Sequence, residues 1–111
     1  MNKILISGIG IISPLGETLE QNRRALRSGI CGIQKGSFVP SRYAELLPFG
    51  VVKHSNEQLS QNLMAHENGL TRTTLLALHA FKDALKDAEL PEEIIRSPDT
   101  AVIGANTVGG M

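Results

Sequence analysis

Apolar residues are concentrated in two short stretches that lie near opposite ends of the chain. Lys3 to Ile9 reads KILISGI, and Thr100 to Ala105 reads TAVIGA. Neither stretch has the polar alternation of a half-exposed strand. Such runs are typical of strands buried on both faces, as in a parallel sheet covered by helices. The pattern therefore predicts one buried strand in each stretch.

The strongest helical periodicity runs from Leu70 to Ala88. Its apolar residues share one face and its charged residues the other, as shown by Ala77, Phe81, Ala84 and Leu85 against Lys82, Asp83, Lys86 and Asp87. This arrangement predicts an amphipathic helix. Pro91 ends that helix, and Glu92 and Glu93 begin one short turn.

Two capping-box spacings predict two shorter helices. Thr18 and Gln21 precede a helix that Gly29 ends, with Arg23, Arg24 and Arg27 in its last turns. Ser55 and Gln58 precede a helix through Leu59, Leu63 and Met64, which the pair Asn68-Gly69 ends. The region from Ile30 to Val52 has no clear period, so we expect an irregular excursion with a short strand at Phe49 to Lys53.

The order of strand, helix, excursion, helix and strand indicates a right-handed β-α-β crossover in a parallel sheet. Two or three strands leave apolar sheet edges uncovered, so the chain is expected to be part of a larger α/β domain. Alone, it should associate, swap elements or fold only in part.

Composition narrows the classes of function. The 111 residues carry 11 Lys+Arg against 11 Asp+Glu and are 41% hydrophobic. Zero net charge predicts no nucleic-acid or membrane partner, and the apolar content argues against disorder. The first apolar stretch is too short to cross a bilayer and has no signal-peptide cleavage site. Cys31 is the single cysteine, so it forms no internal disulfide. We therefore expect a cytoplasmic protein.

Candidate chemistry is sparse. Gly8 and Gly10 could begin a dinucleotide-binding turn, but Ser13 takes the third glycine position, and close backbone packing explains both glycines better. The histidines at 54, 66 and 79 have no Cys or acidic partner at ligand spacing, so we expect neither metal nor cofactor. Cys31 lies in a loop with no histidine near it in sequence, and we expect a semi-buried, unreactive thiol.

Four segments in order resemble the β-ketoacyl-acyl-carrier-protein synthases, the condensing enzymes of fatty acid and polyketide synthesis. They are Ile4 to Gly16 (ILISGIGIISPLG), Leu26 to Ile30 (LRSGI), Ala84 to Leu90 (ALKDAEL) and Val102 to Gly110 (VIGANTVGG). The resemblance implies a thiolase-like α/β fold, with the chain supplying the N-terminal part of a mostly parallel five-stranded sheet flanked by helices. It also implies an acyltransferase that uses acyl and malonyl thioesters of acyl carrier protein, usually as a homodimer.

The resemblance carries almost no catalytic residues onto this chain. In the family, the catalytic residues follow the Gly-Gly turn that resembles Gly109-Gly110. They are a cysteine together with either two histidines or one histidine and one asparagine. Cys31 and the three histidines precede that turn, so we expect no catalytic residue in these 111 residues and no activity from them alone. Val108 resembles the residue that limits the acyl pocket near the dimer partner; packing at an interface is an equal alternative.

Two further hypotheses remain open. A non-catalytic partner subunit resembling chain-length factors would have the same fold without the active cysteine. A nucleotide-binding module would use Gly8 and Gly10.

Overall fold

The computed structural model describes residues 3–36 and 41–107. Its elements are α1 (Leu19–Arg27), β1 (Ile33–Gln34), β2 (Phe49–Gly50), α2 (Asn56–Leu63), α3 (Arg72–Ala88) and α4 (Glu92–Ile95). The strands pair antiparallel, with Ile33 opposite Gly50 and Gln34 opposite Phe49. None of the helices in the described ranges is long and apolar enough to cross a membrane.

Side-chain caps set the starts of the first two helices, as the sequence predicts. The Thr18 hydroxyl accepts a hydrogen bond from the Gln21 N–H at 3.3 Å. At α2 the box is reciprocal, because the Gln58 N–H donates to Ser55 at 3.2 Å and the Ser55 N–H donates to the Gln58 amide oxygen at 2.9 Å. Each cap satisfies backbone donors that have no partner within the helix.

The helix ends follow from left-handed backbone conformations. Gly29 has a φ of 66° after α1, as predicted. α2 ends earlier than predicted, because Met64 already adopts a φ of 54°, before the turn at Asn68 and Gly69. Glu89, at a φ of 50°, follows α3, and α4 forms the short turn expected after Pro91.

The core lies mainly where α2 packs against α3. Leu59 on α2 and Leu75 on α3 are fully buried there, and the smaller Ala25 and Ala44 are buried elsewhere. The Cα radius of gyration is 16.4 Å, whereas a compact domain of this length has about 13 Å. The fold is therefore open around a small core.

The segment before α1 lies directly against α3 through two glycines. A Cβ atom added at Gly8 would be 2.7 Å from the Ala88 Cβ, and one added at Gly10 would be 1.8 Å from the Ala80 carbonyl oxygen. The Ile9 N–H donates to the Asp87 carboxylate at 2.9 Å on the same helix. Backbone and helix approach this closely only because neither glycine has a side chain.

The two predicted terminal strands require correction. Neither Lys3 to Ile9 nor Thr100 to Ala105 forms a strand in the structure, so the crossover they would frame is not formed within the described residues. Ile4 is 97% exposed and Ile103 is 93% exposed. A strand exists only through hydrogen bonds to a neighbour, and no described segment pairs with either stretch.

The short strand predicted within the irregular region from Ile30 to Val52 is present in part. β2 lies at the start of the short strand expected from Phe49 to Lys53 but covers only Phe49 and Gly50. Its partner β1 was not predicted, because two residues, Ile33 and Gln34, are too few to show any periodicity.

We expect Gly10→Ala to lower the free energy of unfolding by about 2 kcal/mol or more, because the new methyl group would collide with the α3 backbone. Gly104→Ala is the matched control, since a Cβ there meets nothing within 4 Å. The measurement is the urea dependence of the helical circular dichroism signal. Equal midpoints for the two variants would contradict the packing described.

Candidate functional site

A cluster of hydrogen-bonded polar groups forms the turn that precedes α1. Ser13 and Gly16 form two backbone hydrogen bonds across it, at 2.9 and 3.1 Å. The Ser13 hydroxyl also accepts from the Leu15 N–H at 3.1 Å. Pro14 lies inside the turn, close to where a Cβ on Gly32 or Gly50 would be. The turn therefore joins the glycine segment, α1 and the small sheet.

Asn22, a buried residue of α1, makes hydrogen bonds to this turn. Its side-chain amide donates to the carbonyl oxygens of Gly16 and Thr18, each at 2.8 Å. Its amide oxygen accepts a short hydrogen bond from the Ser13 hydroxyl. A buried amide has to be hydrogen-bonded to avoid a desolvation cost, and here both its donor and its acceptor atoms have partners.

A narrow cleft of about 140 Å³ separates the turn from the loop before α2. Glu17 lies on one side, and Lys53 and His54 lie on the other. The Glu17 carboxylate and His54 Nε2 are 2.5 Å apart. This contact joins residues 37 positions apart in sequence, so no local spacing could indicate it.

Arg72, the first residue of α3, fixes the far wall of the cleft. Its guanidinium donates to the carbonyl oxygens of His54 and Val52 at 2.9 and 2.8 Å, and to the Asn56 side chain at 3.0 Å. The planar fork of an arginine can reach three acceptors in a fixed arrangement. The loop before α2 is therefore attached to the start of α3.

One carboxylate near this loop has a shifted pKa. A hydrogen bond from the Ser55 side chain, with a smaller contribution from its own backbone N–H, lowers the pKa of Glu57 in the first turn of α2. Both hydrogen bonds stabilise the charged form of the Glu57 carboxylate.

Most polar side chains of the cleft make contacts within the chain. Its hydroxyl, from Ser13, is engaged with Asn22, and no thiol lies in its walls. Residues 3–36 and 41–107 contain no group of three side chains able to hold a metal ion. The geometry fits a support for neighbouring backbone, because the side chains of Ser13, Glu17 and His54 each contact another part of the chain.

A larger hollow of about 550 Å³ lies between the start of α1 and the end of α3. Some of the charged side chains in its lining contact other parts of the chain: Arg23 contacts Glu20 at 2.5 Å, and Asp87 accepts from the Ile9 N–H. Four carboxylates and two cations line it, so the hollow has an excess of negative charge.

The sequence-predicted site residues lie apart. Cys31 is exposed, with its thiol 3.7 Å from the Ile33 carbonyl oxygen, which corrects the expectation of a semi-buried thiol. His66 is exposed, and His79 is half-buried on α3 with Nδ1 3.7 Å from Asp83. Val108 lies outside the described residues, and its predicted role is not tested by the structure.

The glycines proposed for nucleotide binding are not available to a phosphate. Gly8 and Gly10 face the α3 backbone at distances that leave no room for a further group. Phosphate-binding glycines instead present free N–H groups at the start of a helix. The alternative explanation, close backbone packing, is the one that the geometry supports.

Sequence reasoning missed Asn22 and Arg72, although each left a signal. Asparagine is a poor helix former, so its presence inside α1 indicates a side chain with a specific partner. An arginine at the first position of a helix opposes the helix dipole, which indicates that it serves a contact elsewhere.

Comparison with known proteins gives a consistent result. The family model for the β-ketoacyl synthase N-terminal domain matches residues 1–110. A Schizosaccharomyces pombe protein named as a mitochondrial 3-oxoacyl-acyl-carrier-protein synthase is 33% identical over 94 residues, covering 79% of this chain. The chain spans 22% of the length of that relative. No solved structure matches.

Replacing Asn22 with alanine should cost about 1 to 3 kcal/mol of unfolding free energy, because the Gly16 and Thr18 carbonyl groups and the Ser13 hydroxyl lose their partner. Asn62→Ala, at an exposed position of α2, should cost nothing or stabilise slightly. Chemical denaturation of both variants measures the difference. An Asn22→Ala protein as stable as Asn62→Ala would show that the turn does not depend on this amide.

Arg72→Lys should destabilise the protein by about 1 to 2 kcal/mol, because an ammonium group cannot reach three acceptors in the guanidinium geometry. The matched control is Arg96→Lys, whose exposed pair with Glu92 should contribute well under about 1 kcal/mol. Thermal unfolding of the two variants compares them. The account of the cleft wall is wrong if both substitutions shift the melting temperature equally.

Proposed function

The chain belongs to the β-ketoacyl synthase N-terminal domain family, and on that basis we propose that it forms part of an enzyme that condenses an acyl thioester with malonyl-acyl-carrier protein. The match over residues 1–110 is the observation that carries the proposal. The name of the yeast relative supports the same class of reaction, the formation of a 3-oxoacyl thioester. Such a reaction serves either fatty acid synthesis or polyketide synthesis.

The reaction proposed is a decarboxylative Claisen condensation. A cysteine thiolate attacks the acyl thioester and releases the carrier thiol, which leaves the acyl group on the cysteine. Loss of CO₂ from the malonyl-carrier thioester then generates a carbanion that attacks the acyl carbonyl carbon; the new C–C bond forms as the C–S bond breaks, which releases the cysteine thiolate and leaves the 3-oxoacyl group on the carrier. A helix N-terminus lowers the pKa of such a thiol, and backbone N–H groups stabilise the thioester oxyanion. We propose that the residues performing these steps lie outside the 111 residues, because Cys31 and the three histidines precede the Gly109-Gly110 pair, whereas the catalytic residues of the family follow the turn that this pair resembles.

The contribution we assign to this chain is structural support. Gly8 and Gly10 place the first apolar segment on α3, and Asn22 fixes the turn that follows it. The apolar stretches at Ile4 to Ile6 and Val102 to Ile103 are exposed, as expected of strands whose neighbours come from the rest of such an enzyme.

The proposed partners are acyl carrier protein, which delivers both thioesters, and a second subunit, either an identical copy or a related non-catalytic one. A cytoplasmic location remains a prediction from the sequence. The name of the Schizosaccharomyces pombe relative describes that protein as mitochondrial, and we do not propose this location for the present chain.

The proposal is tested by incubating the full-length protein with an acyl-carrier protein and malonyl-carrier protein and following the 3-oxoacyl product and CO₂. We expect product from the full-length protein and none from residues 1–111 alone. Activity from the 111 residues would contradict the placement of the catalytic residues elsewhere. A folded full-length protein that is active only with an added partner would instead identify it as the non-catalytic subunit.

For Val108, we propose a role in limiting the acyl chain. In the full-length enzyme, Val108→Phe should lower kcat/KM for long acyl substrates about 10- to 100-fold while sparing short ones, because the larger ring occupies space that methylenes need. Val52→Phe, in the wall of the small cleft, controls for general damage. An equal loss for all chain lengths would favour the interface-packing alternative for Val108.

A further inference from the structure

The connection between α2 and α3 contains the pair Asn68-Gly69. α2 ends at Leu63 and α3 begins at Arg72, so the pair lies between the two helices that form the core. In such a pair the side-chain amide carbon of the asparagine lies close in the chain to the backbone nitrogen of the glycine. Attack of this nitrogen on that carbon closes a succinimide ring, which makes asparagine a chemically labile residue.

The structure leaves this pair open to the reaction. Both residues are exposed and form a turn outside the helices. A Cβ atom built on Gly69 would meet nothing within 4 Å, so the Asn68 side chain has open space beside the glycine. No backbone group in residues 3–36 and 41–107 accepts a hydrogen bond from the Gly69 N–H. The attacking nitrogen is therefore not held away from the amide carbon by the fold.

The other asparagines of the described ranges are in different settings. The buried Asn22 amide has partners for its donor and acceptor atoms, and the Asn56 side chain accepts from the guanidinium at the start of α3 at 3.0 Å. Asn62 and Asn106 are exposed, but a leucine and a threonine follow them. A side chain on the following residue crowds its backbone nitrogen, whereas glycine has none. Asn68 therefore combines exposure with an accessible nucleophile.

We propose that Asn68 is a deamidation site, at which the chain converts its own asparagine into aspartate and isoaspartate. The Gly69 nitrogen loses its proton to a base in the solvent and attacks the Asn68 Cγ. The Cγ–Nδ2 bond then breaks, and the amide nitrogen takes up a proton and leaves as ammonia. Water opens the ring: breaking the bond between nitrogen and Cγ gives aspartate, and breaking the bond between nitrogen and the main-chain carbonyl carbon gives isoaspartate.

The modification changes the charge and length of the connection. Either product carries a carboxylate that is charged at neutral pH, beside the existing carboxylate of Glu67. Isoaspartate also places the Cβ carbon within the main chain, so the connection becomes longer. The chain has 11 acidic and 11 basic residues, so one such event makes it net negative. This proposal does not depend on the condensing activity proposed above.

Incubation of the 111-residue chain and of the full-length protein in mildly alkaline buffer tests the proposal, because base removes the proton from the attacking nitrogen. Peptide mass spectrometry follows each asparagine over time through a gain of about 1 Da per event. An isoaspartyl methyltransferase with a labelled methyl donor identifies the isoaspartate product. In both proteins we expect Asn68 to react at least about tenfold faster than Asn62 or Asn106, because only Asn68 is followed by a glycine.

Two variants and one control make the test specific. Asn68→Gln keeps an amide but requires a larger ring that closes slowly, so it should abolish the reaction at this position. Gly69→Ala places a methyl group beside the attacking nitrogen and should slow the reaction of Asn68 about tenfold. Asn62→Gln is the matched control and should leave the rate at Asn68 unchanged. Because Gly69 has a φ of 85°, the helical circular dichroism signal checks that its variant folds.

Two results would overturn the proposal. The first is an equal rate of mass gain at Asn68 and Asn62 in the unmodified chain. The second is an unchanged rate at Asn68 in a folded Gly69→Ala protein, since the glycine nitrogen would then not be the nucleophile.

Discussion

The structure depends on how closely its first segment approaches α3. At Gly8 and Gly10 the backbone lies so near Ala80, Ala84 and Ala88 that a methyl group on either glycine would collide with the helix. This approach places the turn from Ser13 to Gly16, and with it the start of α1, relative to the longest helix. α1 itself contacts neither α2 nor α3 directly.

Polar contacts connect the parts of the chain that the small apolar core does not hold together. Asn22 ties the turn to α1, Arg72 ties the loop before α2 to α3, and Glu17 and His54 connect the two across a cleft. Leu59 and Leu75 are the only fully buried large side chains in the described part of the chain. The hydrogen bonds made by the Arg72 guanidinium and the buried Asn22 amide therefore help to determine how the segments of this fold are arranged.

The sequence predicted the elements that local chemistry specifies. Thr18 and Ser55 mark helix starts through their own hydroxyl groups, and the apolar face from Leu70 to Ala88 marks α3 through its period. The strand predictions at residues 3–9 and 100–105 failed in this structure because a strand also needs partners, which the described residues do not supply. The Glu17–His54 contact could not be predicted for a related reason, since it joins distant residues without any periodic signal.

The segment that opens the family resemblance, Ile4 to Gly16, includes the glycines that lie on α3. Nuclear Overhauser effects in solution test this packing most directly. The account predicts contacts between the Gly8 α-protons and the Ala88 methyl group, and between the Gly10 α-protons and the Ala84 amide proton. Their absence from a protein whose α3 is helical would contradict it.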